Sequence, residues 1–146
     1  MTVEFVDTNV LVYAYDRSAG PKNRKAAALM ERLWSGNTGC TSIQVLQEFY
    51  MVTTRKIAKP LRPERARTII GDMGSWRVHR PSVEDILGAI DIAEKARISF
   101  WDGMIVRSAS AQGAAVIWSE DLHAGGEISG VRIRNPFLDE RALTGQ

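Results

Sequence analysis

Four acidic residues stand where carboxylates are expensive to keep. Asp7 ends the apolar run Val3–Val6, and Glu48 lies among Val45, Leu46, Phe49, Tyr50 and Val52. Asp102 follows Trp101, and Asp121 closes the stretch Ile117-Trp118-Ser119-Glu120-Asp121. Buried carboxylates are rare unless they are paired or hold a cation. Each acid also has a plain structural explanation. Asp7 could cap a following helix, Asp102 has capping-box spacing from Ser99, and Asp121 could sit in a turn over Ser119–Leu122. Glu48 resists that treatment, because its apolar neighbours leave little room for a polar helix face.

Four converging carboxylates cannot all stay ionised without compensation, since like charges raise one another's pKa. A hard divalent cation resolves the conflict: Mg²⁺ takes carboxylate and water oxygens, and Mn²⁺ suits similar ligands. Such an ion lowers the pKa of a bound water and neutralises charge on a phosphoryl oxygen. Metal-assisted phosphodiester hydrolysis is the chemistry that follows. Competing chemistries are few. A single cysteine, Cys40, excludes intrachain disulfides and Cys-based zinc sites, and two histidines, His79 and His123, exclude a His-rich centre. No Ser–His or Lys constellation stands out, and no Walker A or dinucleotide fingerprint is present.

The elements that must position these acids read as strands alternating with helices. Val3–Val6 is a short strand stopping at Asp7, with a helix from Asn9 to about Asp16. Pro21 suits the first turn of a second helix, whose Ala26, Leu29, Met30 and Leu33 share a face. Gly36 ends it, Gly39–Thr41 is a strand, and Ser42 is placed to cap a helix running to about Lys56. Pro63 opens a helix to about Met73, and Trp76–Val78 is a strand. Ser82 and Asp85 have capping-box spacing for a helix with Ile86, Ile90 and Ala93 on one side. Phe100–Gln112 is a helix closed by Gly113, Ala114–Trp118 a buried-type strand, and Val131–Ile133 another. The pattern predicts an α/β fold with a parallel sheet in one domain spanning residues 1–146. Asp7 and Asp121 then fall at or just beyond the carboxyl ends of strands, the edge where open parallel sheets bind ligands.

The 146 residues include 45% hydrophobic and 25% charged types, ordinary for one globular core. The formal charge is only +2, but residues 1–80 hold thirteen Lys+Arg against seven Asp+Glu, and residues 81–146 hold six against ten. Much of the basic excess lies between Arg55 and Arg80. It fits a phosphate-backbone footprint, with Arg55, Lys56, Lys59 and Arg62 as RNA-binding candidates, and it fits a solvated helix face equally well. No run of about 18 apolar residues predicts a transmembrane helix. The start lacks the features of a signal peptide. The expectation is a cytoplasmic protein with no membrane association.

Val6-Asp7-Thr8-Asn9-Val10-Leu11-Val12-Tyr13-Ala14, Ser42-Ile43-Gln44-Val45-Leu46-Gln47-Glu48-Phe49, Trp101-Asp102-Gly103-Met104-Ile105-Val106 and Ile117-Trp118-Ser119-Glu120-Asp121-Leu122 resemble, in order, four motifs of the PIN-domain ribonucleases. The resemblance is closest to VapC-type toxins of type II toxin–antitoxin pairs, and Asn135-Pro136-Phe137 resembles a common closing segment. It implies a three-layer α/β/α sandwich with a mainly parallel central sheet and one or two Mg²⁺ or Mn²⁺ ions. Asp7, Glu48, Asp102 and Asp121 would form the acidic site, with Thr8, Asn9 and Ser119 supporting it. Ser119 stands where the family more usually has Thr, and Glu120 competes with Asp121 for the fourth acidic place. The resemblance further implies cleavage of RNA (transfer or ribosomal RNA among the candidates), a cognate VapB-type antitoxin and a homodimer. The alternatives are a metal-dependent phosphohydrolase of another class, which usually carries a second Asp where Asn9 stands, and a non-catalytic RNA- or protein-binding module.

Other residues are assigned to structure. Trp101 and Trp118 could stack on RNA bases but are expected in the core. Trp34 and Trp76 read as core or interface residues, Cys40 as a small buried hydrophobe and Asp16 as solvent-exposed. Gly125-Gly126 reads as a flexible turn.

Overall fold

A computed structural model of the protein describes residues 2–122 and 126–139. The parallel sheet is built from β1 (Glu4–Val6), β2 (Gly39–Ser42), β3 (Arg77–His79), β4 (Val116–Trp118) and β6 (Val131–Arg134). The short β5 (Glu127–Ile128) pairs antiparallel with β6 and was not anticipated from the sequence. The spatial order is β3-β2-β1-β4-β6-β5. Phe5, Cys40, Ile117 and Ile133 fall in one register row across four parallel strands, and all four are fully buried. The central strands β1 and β4 are buried on both faces because helices cover both.

Among the described residues, six α-helices supply that cover: α1 (Thr8–Tyr15), α2 (Pro21–Gly36), α3 (Ile43–Arg55), α4 (Pro63–Met73), α5 (Val83–Ala96) and α6 (Phe100–Ala111). The connections β1–β2 and β2–β3 step one way across the sheet, and β3–β4 returns past β1 to its other side. Right-handed crossovers therefore place α1 to α4 on one face and α5 with α6 on the other. This is the expected three-layer α/β/α sandwich. Residues 123–125, including Gly125 of the expected turn, lie outside the described residues.

Caps set the helix starts. Asp7 caps α1 with Oδ1, Ser42 caps α3, and Ser82 with Asp85 closes a full capping box on α5. The predicted strand Trp76–Val78 begins one residue later, at Arg77. Trp76 instead packs against Trp34 at 5.5 Å between ring centroids. A Cβ at position 39 would come within 2.5 Å of the Trp76 ring, so β2 can pass there only with glycine. Cys40 is buried in β2, and burial pushes its thiol up to about 12.

The α5–α6 contact explains a second departure. A Cβ on Gly103 would meet the Ala89 carbonyl oxygen at 2.6 Å, so these helices pack through small residues at close range. The side of α5 turned inward carries Asp85 and Ala89. Ile86 and Ile90, together with Val83 and Leu87, are exposed. Among the described residues no helix is long and apolar enough to cross a membrane.

Candidate active site

The sheet reverses its direction of travel between β1 and β4, and both strands end at the same edge. The Asp7 amide donates to the Trp118 carbonyl at 3.0 Å, which places Asp7 beside Ser119. Open α/β sheets bind ligands at such a switch point. A cavity of about 410 Å³ opens here, and Asp7, Glu48, Asp102 and Asp121 all line it.

Asp7 is held at both oxygens. Oδ1 accepts from the Thr8 amide at 2.7 Å and Oδ2 from Ser119 Oγ at 2.8 Å. Ser119 Oγ in turn accepts from the Leu122 amide at 3.1 Å, so the loop after β4 is folded around the hydroxyl. Burial pushes the Asp7 carboxyl up to about 6; its two hydrogen bonds oppose that shift, and the nearby charges of Glu48 and Asp102 add to it.

Glu48 is also held at both oxygens, by Thr8 Oγ1 on Oε2 and Gln44 Nε2 on Oε1, each at 2.9 Å. Thr8 therefore serves two acids, its amide holding Asp7 and its hydroxyl Glu48. Asp102 lies in the first turn of α6, where its amide donates to Ser99 Oγ at 3.0 Å. Only this half of the expected capping box forms among the described residues, leaving the Asp102 carboxylate to the cavity.

Asn9 joins α1 to the loop after β4. Its Nδ2 donates to Asp121 Oδ2 at 3.1 Å, and its Oδ1 accepts from the Glu120 amide at 3.0 Å. The neighbouring acids then part company. Asp121 lines the cavity, whereas Glu120 accepts from Tyr13 Oη at 3.0 Å and pairs with Lys22.

Two expectations are corrected. Asp16, assigned to solvent, is buried and lines the cavity, because its Oδ1 caps the turn Arg17–Ala19 through the Ser18 amide and hydroxyl. Trp101, assigned to the core, is 64% exposed at the cavity wall. The buried face of α6 is supplied by Gly103 to Val106, Ser108 and Ala109, and Trp101 sits ahead of it. Trp118, by contrast, is fully buried as expected, with Nε1 donating to Glu4 Oε1 at 2.9 Å.

The tertiary structure also forms a Ser–His–Asp chain that spacing did not suggest. His79 Nδ1 is 2.9 Å from Ser108 Oγ, and its Nε2 is 3.2 Å from Asp85 Oδ2. Ser108 is fully buried, and Asp85 is committed to Arg107 and to its cap, so this chain is a structural tie. The basic candidates lie apart from the cavity. Arg55 and Lys56 end α3 and Lys59 follows in the loop, all exposed, while Arg62 pairs with Glu64 at 3.6 Å. Ile57, just after Lys56, lines the cavity and links this basic segment to it. Sequence reading missed Gln44 as a site residue, although its position four residues before Glu48 on one helix face was a usable signal.

The donors fit a hard cation. They are carboxylate oxygens, and among the described residues no Lys, Arg or His pairs with Asp7, Glu48 or Asp102. Burial is the main reason the Asp7 carboxyl is pushed up, and the neighbouring Glu48 and Asp102 charges add a smaller push in the same direction. Among the described residues no three acidic, His or Cys side chains close into a ready-made ligand set.

A model of the PIN domain family matches residues 5–124. No curated protein gives a significant match. Among solved structures the chain is similar to a DNA-bound VapBC complex from Salmonella typhimurium, with 22% identity, a TM-score of 0.64, and 93% of this chain and 99% of that one covered. It is similar to Mycobacterium tuberculosis VapC20, a sarcin–ricin loop cleaving toxin, at 19% identity and TM-score 0.64, covering 88% and 98%. A Klebsiella pneumoniae toxin–antitoxin complex matches at 15% identity and TM-score 0.64, covering 91% and 97%. At these identities the likeness is one of fold.

Proposed function

The chain belongs to the PIN domain family, and on that premise we propose that it is a divalent-metal-dependent endoribonuclease, the VapC-type toxin of a type II toxin–antitoxin pair. The observation that carries this reading is the arrival of Asp7, Glu48, Asp102 and Asp121 from four separate segments at one cavity. A Mg²⁺ or Mn²⁺ ion held by these acids would supply an acidified water and a counter-charge for the scissile phosphate.

The chain's own residues do the positioning. Thr8 and Ser119 fix Asp7, Thr8 and Gln44 fix Glu48, and Asn9 fixes Asp121. Asp121 is the fourth site acid, since Glu120 is taken up by Lys22 and Tyr13. Arg55, Lys56, Lys59 and Arg62 engage the RNA backbone beside the cavity, and the RNA is a transfer or ribosomal species. A VapB-type antitoxin restrains the enzyme in the cytoplasm. The exposed apolar stripe Val83, Ile86, Leu87 and Ile90 supports a homodimer of single PIN-like domains over residues 1–146.

The test is cleavage of total cellular RNA with 5′ ends mapped, using wild type and Asp7→Asn with Mg²⁺, Mn²⁺ or chelator. Discrete new ends that require both metal and Asp7 support the reading. Identical patterns from both proteins, or no new ends with either ion, overturn it.

A further inference from the structure

The Gln44 side chain touches two parts of the site at once. Its Nε2 donates to Glu48 Oε1 at 2.9 Å and, over a longer 3.3 Å, to the Trp101 carbonyl. The first bond spans one turn of α3. The second crosses to the first turn of α6, at the residue before Asp102. The amide can face only one way, because both neighbours are acceptors and the nitrogen must point at them. Gln44 Oε1 is then buried with no partner among the described residues. Buried acceptors seldom stay unpaired.

The consequences for the two acids differ. Glu48 has a long, flexible side chain whose rotamers cost free energy to restrict. Gln44 and Thr8 together hold both its oxygens. Among the described residues Asp102 has no such holder on its carboxylate, so its place depends on where the first turn of α6 sits. The Gln44 bond to the Trp101 carbonyl ties that turn to α3.

We propose that Gln44 is a positioning residue for a divalent cation. It sets the Glu48 carboxylate and the Asp102 turn in one fixed relation. This inference rests on the reading of the acids as cation ligands. Groups that orient metal ligands typically contribute about 10–100-fold to metal affinity.

The experiment is Mn²⁺ titration followed by the electron paramagnetic resonance signal of free Mn²⁺, with steady-state RNA cleavage measured beside it. Wild type, Gln44→Leu and Gln44→Met are compared, and circular dichroism confirms folding. The expected result is a Mn²⁺ dissociation constant raised roughly tenfold, a lower kcat, and an unchanged KM for RNA. Unchanged Mn²⁺ affinity and kcat in a folded variant overturn the inference while leaving the nuclease reading intact. Gln44→Met preserves side-chain length and carries the same test if the leucine variant fails to fold. Wild type that binds no Mn²⁺ overturns the cation reading and this inference with it.

Discussion

Ser119 donates its hydroxyl to Asp7 Oδ2 at 2.8 Å across 112 positions of sequence, and the same oxygen accepts the Leu122 amide. One buried hydroxyl therefore fixes both the first acid of the site and the loop that carries the fourth. Serine is enough for both bonds. Ser119→Ala leaves a buried amide and a buried carboxylate oxygen each short of a partner, and should cost about 1–3 kcal/mol. Denaturant unfolding measures this, and a variant as stable as wild type would refute the tie. Ser119→Thr keeps the hydroxyl and should retain activity if the fully buried position admits the methyl group.

Asp7 makes stability depend on pH in the metal-free protein. Its folded value of about 6 lies above the ordinary 3.8. The folded state therefore binds the proton more tightly, and stability is greatest below about pH 4 and falls as pH rises to about 6. The total is up to about 3 kcal/mol. Asp7→Asn removes this slope, so in chelator it should be more stable than wild type near neutrality while failing to cleave RNA. Urea unfolding between pH 4 and 8 checks the sign.

Asp85 does the reverse. The Ser82 amide, followed by the Arg107 guanidinium, holds its carboxyl down at about 2. Its stabilisation is present above about pH 4 and lost as pH falls toward 2. Asp85→Ala removes the reciprocal half of the capping box, the bond from the Ser82 amide, and leaves Arg107 and His79 without their acid, at a cost of roughly 2–4 kcal/mol. A thermal shift for this variant that is large at pH 7 and shrinks toward pH 2 is the expected result.

Glu120 and Asp121 are adjacent in sequence, yet Asp121 lines the cavity while Glu120 pairs with Lys22 and Tyr13. Asp121→Asn should lower kcat/KM by roughly tenfold or more. Glu120→Gln should spare turnover and change stability little, since its pair with Lys22 lies at the surface. The reverse pattern would exchange the two roles.

Trp101 keeps 64% of its surface exposed beside the acids. On the nuclease reading it stacks on an unpaired base. Trp101→Ala should leave stability within about 0.5 kcal/mol and raise the KM for RNA roughly tenfold. Trp101→Phe should keep most of the affinity. An unchanged KM in the alanine variant would show that no base rests there.

Local rules carried the sequence reading a long way. Strand and helix alternation, the Ser42 and Ser82 caps and the acids at Asp7 and Asp121 depend on neighbours within a turn or two, so they are written in short stretches of chain. Boundaries drifted where a tertiary contact decided them, as at Trp76, which packs on Trp34 and Gly39 instead of opening β3. The face of α5 was decided by helix–helix approach, since Ala89 and Gly103 meet more closely than the larger Ile86 and Ile90 could.

The sequence by itself determined the positions of the acids, the strand end at Asp7 and the α/β class, because residue type and period encode them directly. Only the tertiary structure decided which atoms meet. Gln44 gains its second partner from α6, Asp16 turns into the cavity, Glu120 turns away to Lys22, and Trp101 stays outside. Each outcome depends on segments far apart in the chain being brought together by a shared core, and no local pattern carries that information.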